Sequence, residues 1–119
     1  MSPRPWRPTA FARRVVQLLG RLPSGRVVTY GDLARAAGRP GAARAVGNIM
    51  REAPITGLPY HRVVAAGGRV GGYGAHPELK AALLTAEGLI VRRGRIRNFA
   101  ERRWEPGQRP TAPGRSRRQ

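Results

Sequence analysis

Apolar residues recur every three or four positions in the first part of the chain. Between residues 9 and 22 this spacing predicts an amphipathic α-helix that runs to about Leu19. Thr9 is placed to cap its first turn, and residues 23–25, a Pro-Ser-Gly sequence, predict a turn. Arg13 and Arg14 fall outside the apolar stripe. The stripe consists of Phe11, Val15, Val16, Leu18, Leu19 and Leu22.

Two shorter helical patterns follow, separated by a glycine-containing turn. Thr29 and Asp32 have the spacing of a capping box and predict a helix over about residues 30–37. A second helix is expected over about residues 42–52. Two short helices joined in this way are typical of a helix-turn-helix. The expected inward positions are Leu33, Ala36 and Ala37 in the first helix, and Ala43, Val46, Ile49 and Met50 in the second.

The rest of the chain predicts short strands and one more helix. Residues 62–64 and 69–70 flank a Gly-rich turn and predict a β-hairpin. Pro77 suits the first turn of a helix over about residues 78–86, which Gly88 closes. A last hairpin is expected around Gly94. The expected inner face of the helix is Leu79, Ala82, Leu83 and Ala86. The predicted fold class is therefore mostly α, a small winged helix-turn-helix-like domain with short β-hairpins.

Composition divides the chain into one folded unit with loose ends. Residues 1–8 hold three prolines around Trp6 and predict a flexible N-terminus. Residues 106–119 contain no large apolar residue, so they cannot bury enough surface to offset their ordering entropy. We therefore expect one domain over residues 9–105, followed by a basic, disordered tail.

Charge and residue usage narrow the classes of function. The formal net charge is +17, from 23 basic and 6 acidic residues. Such a chain is drawn to polyanions, with nucleic acid the leading partner and an anionic membrane surface the alternative. All basic residues except Lys80 are arginine, as a GC-rich genome favours, although codon bias does not explain the scarcity of acids.

Absent residue types exclude several chemistries. The chain has no cysteine, which excludes disulfides and thiol nucleophiles. Its two histidines, His61 and His76, are too few for a protein-only zinc site, and no cofactor is expected. No apolar run is long enough to span a bilayer, and the N-terminus has no apolar signal core. These features predict a cytoplasmic protein that does not insert into membranes.

The second helix of the predicted pair begins with unusually small side chains. A major-groove reader carries base-contacting side chains at this position, but residues 41–47 include only one long side chain, that of Arg44. Small residues allow the backbone to approach a narrow minor groove, where a single long side chain can act as a wedge in the base stack. In the alternative interpretation, alanine and glycine only pack the core and Arg44 is solvated. The local pattern leaves both open.

Three sequence stretches occur in an order that defines a family resemblance. They are VVTYGDLA at residues 27–34, AARAVGNIMR at residues 42–51 and PYHRVV at residues 59–64, followed by a Gly-rich loop and Ala86-Glu87-Gly88. Over about residues 9–90 the chain resembles the C-terminal, DNA-binding domain of the O6-alkylguanine-DNA alkyltransferases. The hallmark of that family reads Pro-Cys-His-Arg-Val.

Tyr60 stands where the resemblance places the acceptor cysteine. A thiolate is a strong nucleophile, whereas a phenol with a pKa of about 10 is largely protonated at neutral pH. The chain is similar in this respect to the alkyltransferase-like proteins, which usually have tryptophan here. The resemblance therefore implies a DNA-binding protein that is not an enzyme.

The resemblance also assigns roles to individual residues. Arg44 matches the finger that fills the gap left by the extruded guanine, and Tyr30 matches the tyrosine that crowds the target phosphate. His61 and Glu87 match the pair that activates the cysteine; without a thiol, we expect them to be a structural hydrogen-bonded pair. The expected DNA contacts are Tyr30, Ala42, Ala43, Arg44, Ala45, Gly47 and Arg51, and the expected lesion pocket is Tyr30, Tyr60, Arg62, Val63, Tyr73 and Gly74.

The resulting expectation is a lesion sensor. It would bind duplex DNA as a monomer from the minor groove, flip an O6-alkylguanine into a pocket beside Tyr60, and hold it there. The resemblance implies that the persistent complex recruits nucleotide excision repair, with UvrA as the first partner to test. Two alternatives stay open: an active alkyl acceptor that uses a residue other than cysteine, and a nonspecific or regulatory helix-turn-helix DNA binder.

Overall fold

The computed structural model describes residues 5–71 and 76–106, which form a mostly helical domain with two small strand pairs. Residues 1–4 of the predicted N-terminal segment, residues 107–119 of the predicted tail, and Tyr73 and Gly74 lie outside the described residues. Along the chain the elements are α1 (Ala10–Leu19), β1 (Val28–Thr29), α2 (Tyr30–Ala36), α3 (Ala43–Glu52), β2 (Val63–Val64), α4 (Pro77–Ala86), β3 (Val91–Arg92), β4 (Arg95–Ile96) and α5 (Phe99–Arg102).

Helices α1 to α3 begin close to where the sequence predicts. The Thr9 side chain accepts a hydrogen bond from the backbone N–H of Ala12 and caps α1. At the start of α2 the predicted capping box forms: Thr29 Oγ1 accepts from the Asp32 N–H at 2.9 Å, and Asp32 Oδ2 accepts from the Thr29 N–H at 3.2 Å. These bonds satisfy backbone donors that no helical carbonyl can reach. The predicted helix-turn-helix is therefore confirmed.

The three helices share one apolar core. Val46 of α3 and Leu33 of α2 are fully buried in it. One predicted inward residue of α2 is wrong: Ala36 is exposed, and Ala34 takes the inward place because α2 turns that side toward the core. The buried members of this first cluster are Phe11, Val15, Leu19, Leu22, Val28, Tyr30, Leu33, Ala34, Ala37, Val46 and Val63.

The predicted hairpin over residues 62–70 is largely wrong. Strand β2 pairs in parallel with β1, so that Val28 lies opposite Val63 and Thr29 opposite Val64. Only one antiparallel bridge, between Ala65 and Arg69, closes the turn. Because Val63 and Val64 are both fully buried, each face of the β1–β2 pair is covered, which a parallel pairing satisfies better than a half-exposed hairpin.

The β1–β2 pair separates two apolar clusters. Successive side chains of a strand point to opposite faces. Val28 and Val63 accordingly face the first cluster, whereas Val27 and Val64 face a second one. The second cluster consists of Val27, Val64, Val70, Leu84, Leu89 and Ile96.

Helix α4 has its predicted extent but not its predicted face. Lys80 and Leu84 are buried, whereas Leu79 is 60% exposed and Leu83 is 42% exposed. The expected inner stripe is therefore on the outside. The Lys80 stem is buried and its ammonium group meets the Tyr30 hydroxyl, a partner that apolar spacing within α4 cannot reveal. Gly88, with φ +93°, follows the C-cap residue as expected.

The last hairpin is confirmed. Strands β3 and β4 are antiparallel, with Val91 opposite Ile96 and Arg92 opposite Arg95. Both residues of the connecting turn have positive φ, 51° at Arg93 and 74° at Gly94, as a tight two-residue turn requires. Helix α5 was not anticipated. After it, Trp104 packs half-buried against the first cluster. In the part of the chain described here, no helix has both the length and the apolarity to cross a bilayer.

Candidate nucleic-acid interface

Helix α3 begins with small side chains and exposes two arginines. Arg44 and Arg51 are exposed, while Val46 anchors the helix in the core. No side chain caps its start, so its first backbone N–H groups are left for solvent or a ligand. Ala42, Ala43 and Ala45 are half-buried against the first cluster. The small side chains therefore pack against the core, and Arg44 is the long side chain exposed at the start of the helix.

A cavity of about 410 Å³ lies between α3 and α4. Its walls are largely apolar, with a few polar groups, as is usual for sites that bind a small organic group. The exposed leucines of α4 form part of this wall, which accounts for their position outside the core. The lining residues are Tyr30, Gly47, Met50, Arg51, Leu58, Tyr60, His61, His76, Leu79, Lys80 and Leu83.

Tyr60 lies on this cavity wall and is anchored by its hydroxyl. The hydroxyl donates a hydrogen bond to the backbone carbonyl of Ile55 at 2.8 Å, which ties the ring to the segment between α3 and β2. Burial raises the pKa of the Tyr60 phenol above its usual value. The group is therefore protonated at neutral pH and presents an aromatic ring, not a nucleophile, to the cavity.

Tyr30 and Lys80 form a second, deeper part of the wall. Tyr30 is only 4% exposed and Lys80 only 5%. The ammonium Nζ of Lys80 donates to the Tyr30 hydroxyl at 3.3 Å and lies 5.4 Å from the centre of the ring. Burial lowers the pKa of Lys80 to about 8. The pair therefore supplies a polar floor whose cation is readily deprotonated in mild alkali.

Beside the cavity, Glu87 lies between His61 and Arg62. His61 Nε2 is 2.8 Å from Glu87 Oε2, and Arg62 donates from Nε at 2.9 Å to Oε1 and from Nη2 at 2.6 Å to Oε2. The hydrogen bonds from Arg62, with that from His61, outweigh burial and lower the pKa of Glu87 to about 2. The carboxylate is thus fully occupied in fixing the 3-10 turn at Tyr60–Arg62.

Two expected pocket residues do not line the cavity. The Arg62 side chain is directed to Glu87 and to the carbonyl of Leu22, which it reaches at 2.9 Å, because the carboxylate offers a stronger partner than an apolar cavity. Val63 is fully buried in β2. Tyr73 and Gly74 lie outside the described residues, so their expected place at the pocket is not described. The structure brings together Tyr30, Gly47, Arg51 and Tyr60.

The sequence interpretation missed six lining residues. Leu79 and Leu83 carried a signal, since their helical spacing marks them as one face, but that face was assigned to the core. The others give no local signal, because their place at the cavity depends on how α3, α4 and the intervening segment meet. The missed residues are Met50, Leu58, His76, Leu79, Lys80 and Leu83. Within the described residues, no three His, Asp or Glu side chains gather closely enough to hold a metal ion.

Comparison with known proteins identifies the family. Residues 10–89 match the model of the 6-O-methylguanine DNA methyltransferase, DNA binding domain. The chain is 41% identical over 83 residues to the DNA base-flipping protein of Escherichia coli, a stretch that covers 69% of this chain and 64% of that protein. It is 44% identical over 84 residues to the methylated-DNA–protein-cysteine methyltransferase of Salmonella typhimurium, covering 70% of this chain and 49% of that one. The chain therefore spans about half to just under two thirds of these relatives.

Solved structures agree with this placement. The crystal structure of S. pombe Atl1 in complex with damaged DNA containing O6-carboxymethylguanine superimposes with a TM-score of 0.72 at 30% identity, over 85% of this chain and 100% of Atl1. That of Mycobacterium tuberculosis OGT in complex with DNA gives 0.60 at 44% identity, over 68% of this chain and 51% of OGT. From the matched domain, the fold and these relatives together, the chain belongs to the family of the 6-O-methylguanine DNA methyltransferase DNA-binding domain, as an alkyltransferase-like protein.

Proposed function

We propose that this protein binds O6-alkylguanine in duplex DNA, rotates the damaged nucleotide out of the helix and holds it in the cavity between α3 and α4 without taking the alkyl group. The observation that carries the proposal is the position and protonation of the Tyr60 side chain. A half-buried phenol of raised pKa lies on the cavity wall of a chain with no cysteine, and the family resemblance places the acceptor cysteine at this position.

The surface of α3 supports the DNA-binding step. Its small residues allow close approach to a narrow groove, and Arg44 is the long, exposed side chain at its start. Base flipping costs a few kcal/mol, which a wedge in the vacated stack helps to offset. Atl1, which shares this fold, has been crystallised with damaged DNA that contains O6-carboxymethylguanine.

The cavity supports the holding step. About 410 Å³ accommodates a small planar group, and Tyr60 supplies an aromatic surface on which a flipped base can stack. Tyr30 and Lys80 place a hydroxyl and an ammonium group at the polar floor. Leu79 and Leu83 offer an apolar wall to an alkyl substituent.

The Glu87 network supports the absence of transfer. In this chain the carboxylate holds His61 and Arg62 and has no thiol to act on. We assign the network a structural role, which is to fix the turn that carries Tyr60. The long-lived complex would then mark the lesion for nucleotide excision repair in the cytoplasm, with UvrA as the partner to test and one protein monomer per lesion.

Two measurements test the proposal together. Binding to a duplex that contains one O6-methylguanine is compared with binding to the undamaged duplex at one fixed salt concentration, because salt moves both constants. We expect the damaged duplex to bind at least about tenfold more tightly, a difference of about 1.4 kcal/mol. Intact mass after incubation should stay unchanged.

Each alternative function predicts a different outcome. Equal affinity for both duplexes would indicate a nonspecific or regulatory helix-turn-helix binder. A gain in mass of one methyl group per chain would show that a residue other than cysteine accepts the alkyl group, and would refute the sensor.

A further inference from the structure

The hairpin β3–β4 carries a concentration of arginine that the lesion site does not use. Val91 and Ile96 turn inward to the second cluster, so Arg92 and Arg95, opposite each other in the next register position, turn outward. Arg69 forms an antiparallel bridge with Arg95 on its other side. We call Arg69, Arg95 and Arg92 the arginine row.

The arginine row is a continuous surface across three chain segments. Neighbouring strands lie about 4.8 Å apart, so the three Cα atoms span about 10 Å. Arg95 Nη1 lies 3.4 Å from the point that a Cβ on Gly67 would occupy, which places this guanidinium over the turn that leads to Arg69. Arg93 at the hairpin tip and Arg97 beyond β4 are also exposed.

This surface lacks internal charge compensation. All six carboxylate side chains of the protein belong to the described residues, and the ion pairs they form in that part of the chain involve Arg35, His61, Arg62 and Arg103 only. Like charges placed directly opposite each other on a sheet destabilise it. An external polyanion would relieve this repulsion.

The hairpin also packs apart from α3. Ile96 of the hairpin packs in the second cluster, whereas Val46 of α3 packs in the first. The β1–β2 pair separates these clusters, so the hairpin and α3 pack against opposite faces of that pair. One duplex seated on α3 therefore leaves the row open to another.

We propose that the arginine row binds the phosphate backbone of a second segment of duplex DNA, so that one molecule joins two segments. Arginine suits this role because its planar guanidinium group pairs with phosphate through two parallel hydrogen bonds. A ligand that is recognised only through its phosphates needs no pocket. The proposal rests on the proposed binding of a first duplex to α3, but not on lesion recognition.

The test is a two-duplex capture with the full chain. A short undamaged duplex is immobilised, loaded with protein and washed, and a second, fluorescent undamaged duplex is added. Wild-type protein should retain the second duplex. With three phosphate contacts, the affinity for the second duplex should fall about 40-fold between about 50 and 200 mM salt. This follows from a slope of log affinity against log salt concentration of about −0.9 per contact.

Three variants make the result specific. Arg69→Gln/Arg92→Gln/Arg95→Gln removes the row and should lose second-duplex capture by about tenfold or more, while binding to the first duplex is kept. The same three positions changed to lysine keep the charge and should retain most of the capture. Arg7→Gln/Arg13→Gln/Arg21→Gln removes three charges elsewhere and should have little effect. Thermal melting checks that all three variants are folded.

Several outcomes would overturn the proposal. Wild-type protein that captures no second duplex at low salt lacks the second site. Equal loss in the Arg7/Arg13/Arg21 variant would show that only total charge matters, and equal capture by the row variant would place the second contact elsewhere, for instance in the basic residues 107–119. Fluorescent polyglutamate can be added in place of the second duplex, and its preferential capture would indicate an acidic protein surface as the partner.

Discussion

Arg103 and Asp32 are joined by two hydrogen bonds, from Nε to Oδ2 at 2.9 Å and from Nη2 to Oδ1 at 2.6 Å. Burial alone would raise the pKa of Asp32, but the bonds from Arg103 and Thr29 outweigh it and leave the pKa lowered. The same carboxylate completes the capping box of α2. The C-terminal end of the described chain is thereby fastened to the start of the helix-turn-helix.

Loss of this contact should destabilise the domain. We expect Arg103→Gln to lower the free energy of unfolding by about 1–2 kcal/mol, a charged hydrogen bond discounted because the guanidinium is 40% exposed. Urea unfolding measures the change. The neighbouring Arg102→Gln is the control, since its guanidinium makes only a 3.4 Å bond to the carbonyl of Gly25. Equal effects of the two substitutions would show that the Asp32 contact adds nothing.

Arg44 should contribute more to the affinity for damaged DNA than its charge alone explains. We expect Arg44→Ala to weaken binding to the O6-methylguanine duplex by about 10- to 100-fold, because the base-flipping cost of a few kcal/mol then lacks its wedge. Arg21→Ala, an exposed arginine outside α3, removes the same charge and should change affinity only slightly. Arg44→Ala protein that binds the lesion as tightly as wild type would refute the wedge.

The ring and the hydroxyl of Tyr60 should have separable roles. Tyr60→Phe removes the bond to the Ile55 carbonyl and should cost about 0.5–1.5 kcal/mol of unfolding free energy, with lesion binding retained. Tyr60→Ala also removes the stacking surface and should reduce the preference for damaged over undamaged duplex. Fluorescence titrations with both duplexes measure it. An unchanged preference in Tyr60→Ala would place the flipped base elsewhere.

Glu87 should make the domain sensitive to acid. Its pKa is lowered in the folded state to about 2 from about 4.5, so its stabilisation is complete above pH 4.5 and is lost as the pH falls toward 2. We expect Glu87→Gln to lower the free energy of unfolding by about 1–3 kcal/mol at pH 7. Denaturant unfolding from pH 7 to 2 should show the difference between the two proteins shrinking between pH 4.5 and 2. A constant difference would contradict the assignment.

Lys80 should produce a second pH dependence, in alkali, because its charged form destabilises the fold. Its pKa is about 8 in the fold and about 10.5 in the unfolded chain, so below pH 8 the fold carries the cost of a buried charge. Stability should rise between pH 8 and 10.5, where the unfolded chain binds more protons. Lys80→Met should therefore raise the free energy of unfolding at pH 7 by about 1–3 kcal/mol. The gain should diminish as the pH approaches 10.5; a gain independent of pH would contradict this origin.

The sequence by itself determined the ends of the helices and the tight turns. Thr9, the Thr29–Asp32 box, Gly88 and the Arg93-Gly94 turn act between residues at most four positions apart, so their effect can be predicted from local spacing. The local pattern likewise predicted the helix that carries Arg44, and the sequence contains no cysteine.

Only the tertiary structure decided how these elements meet. Val63 pairs with Val28 rather than within its own hairpin, and Arg62 is directed to Glu87 rather than to the cavity. Lys80 is buried at the floor of the cavity, while Leu79 and Leu83 are exposed on its wall. Each of these outcomes depends on a partner distant in the chain: a strand that covers a face, a carboxylate, or a hydroxyl that makes burial of a cation tolerable. Apolar spacing within one segment contains no information about such partners.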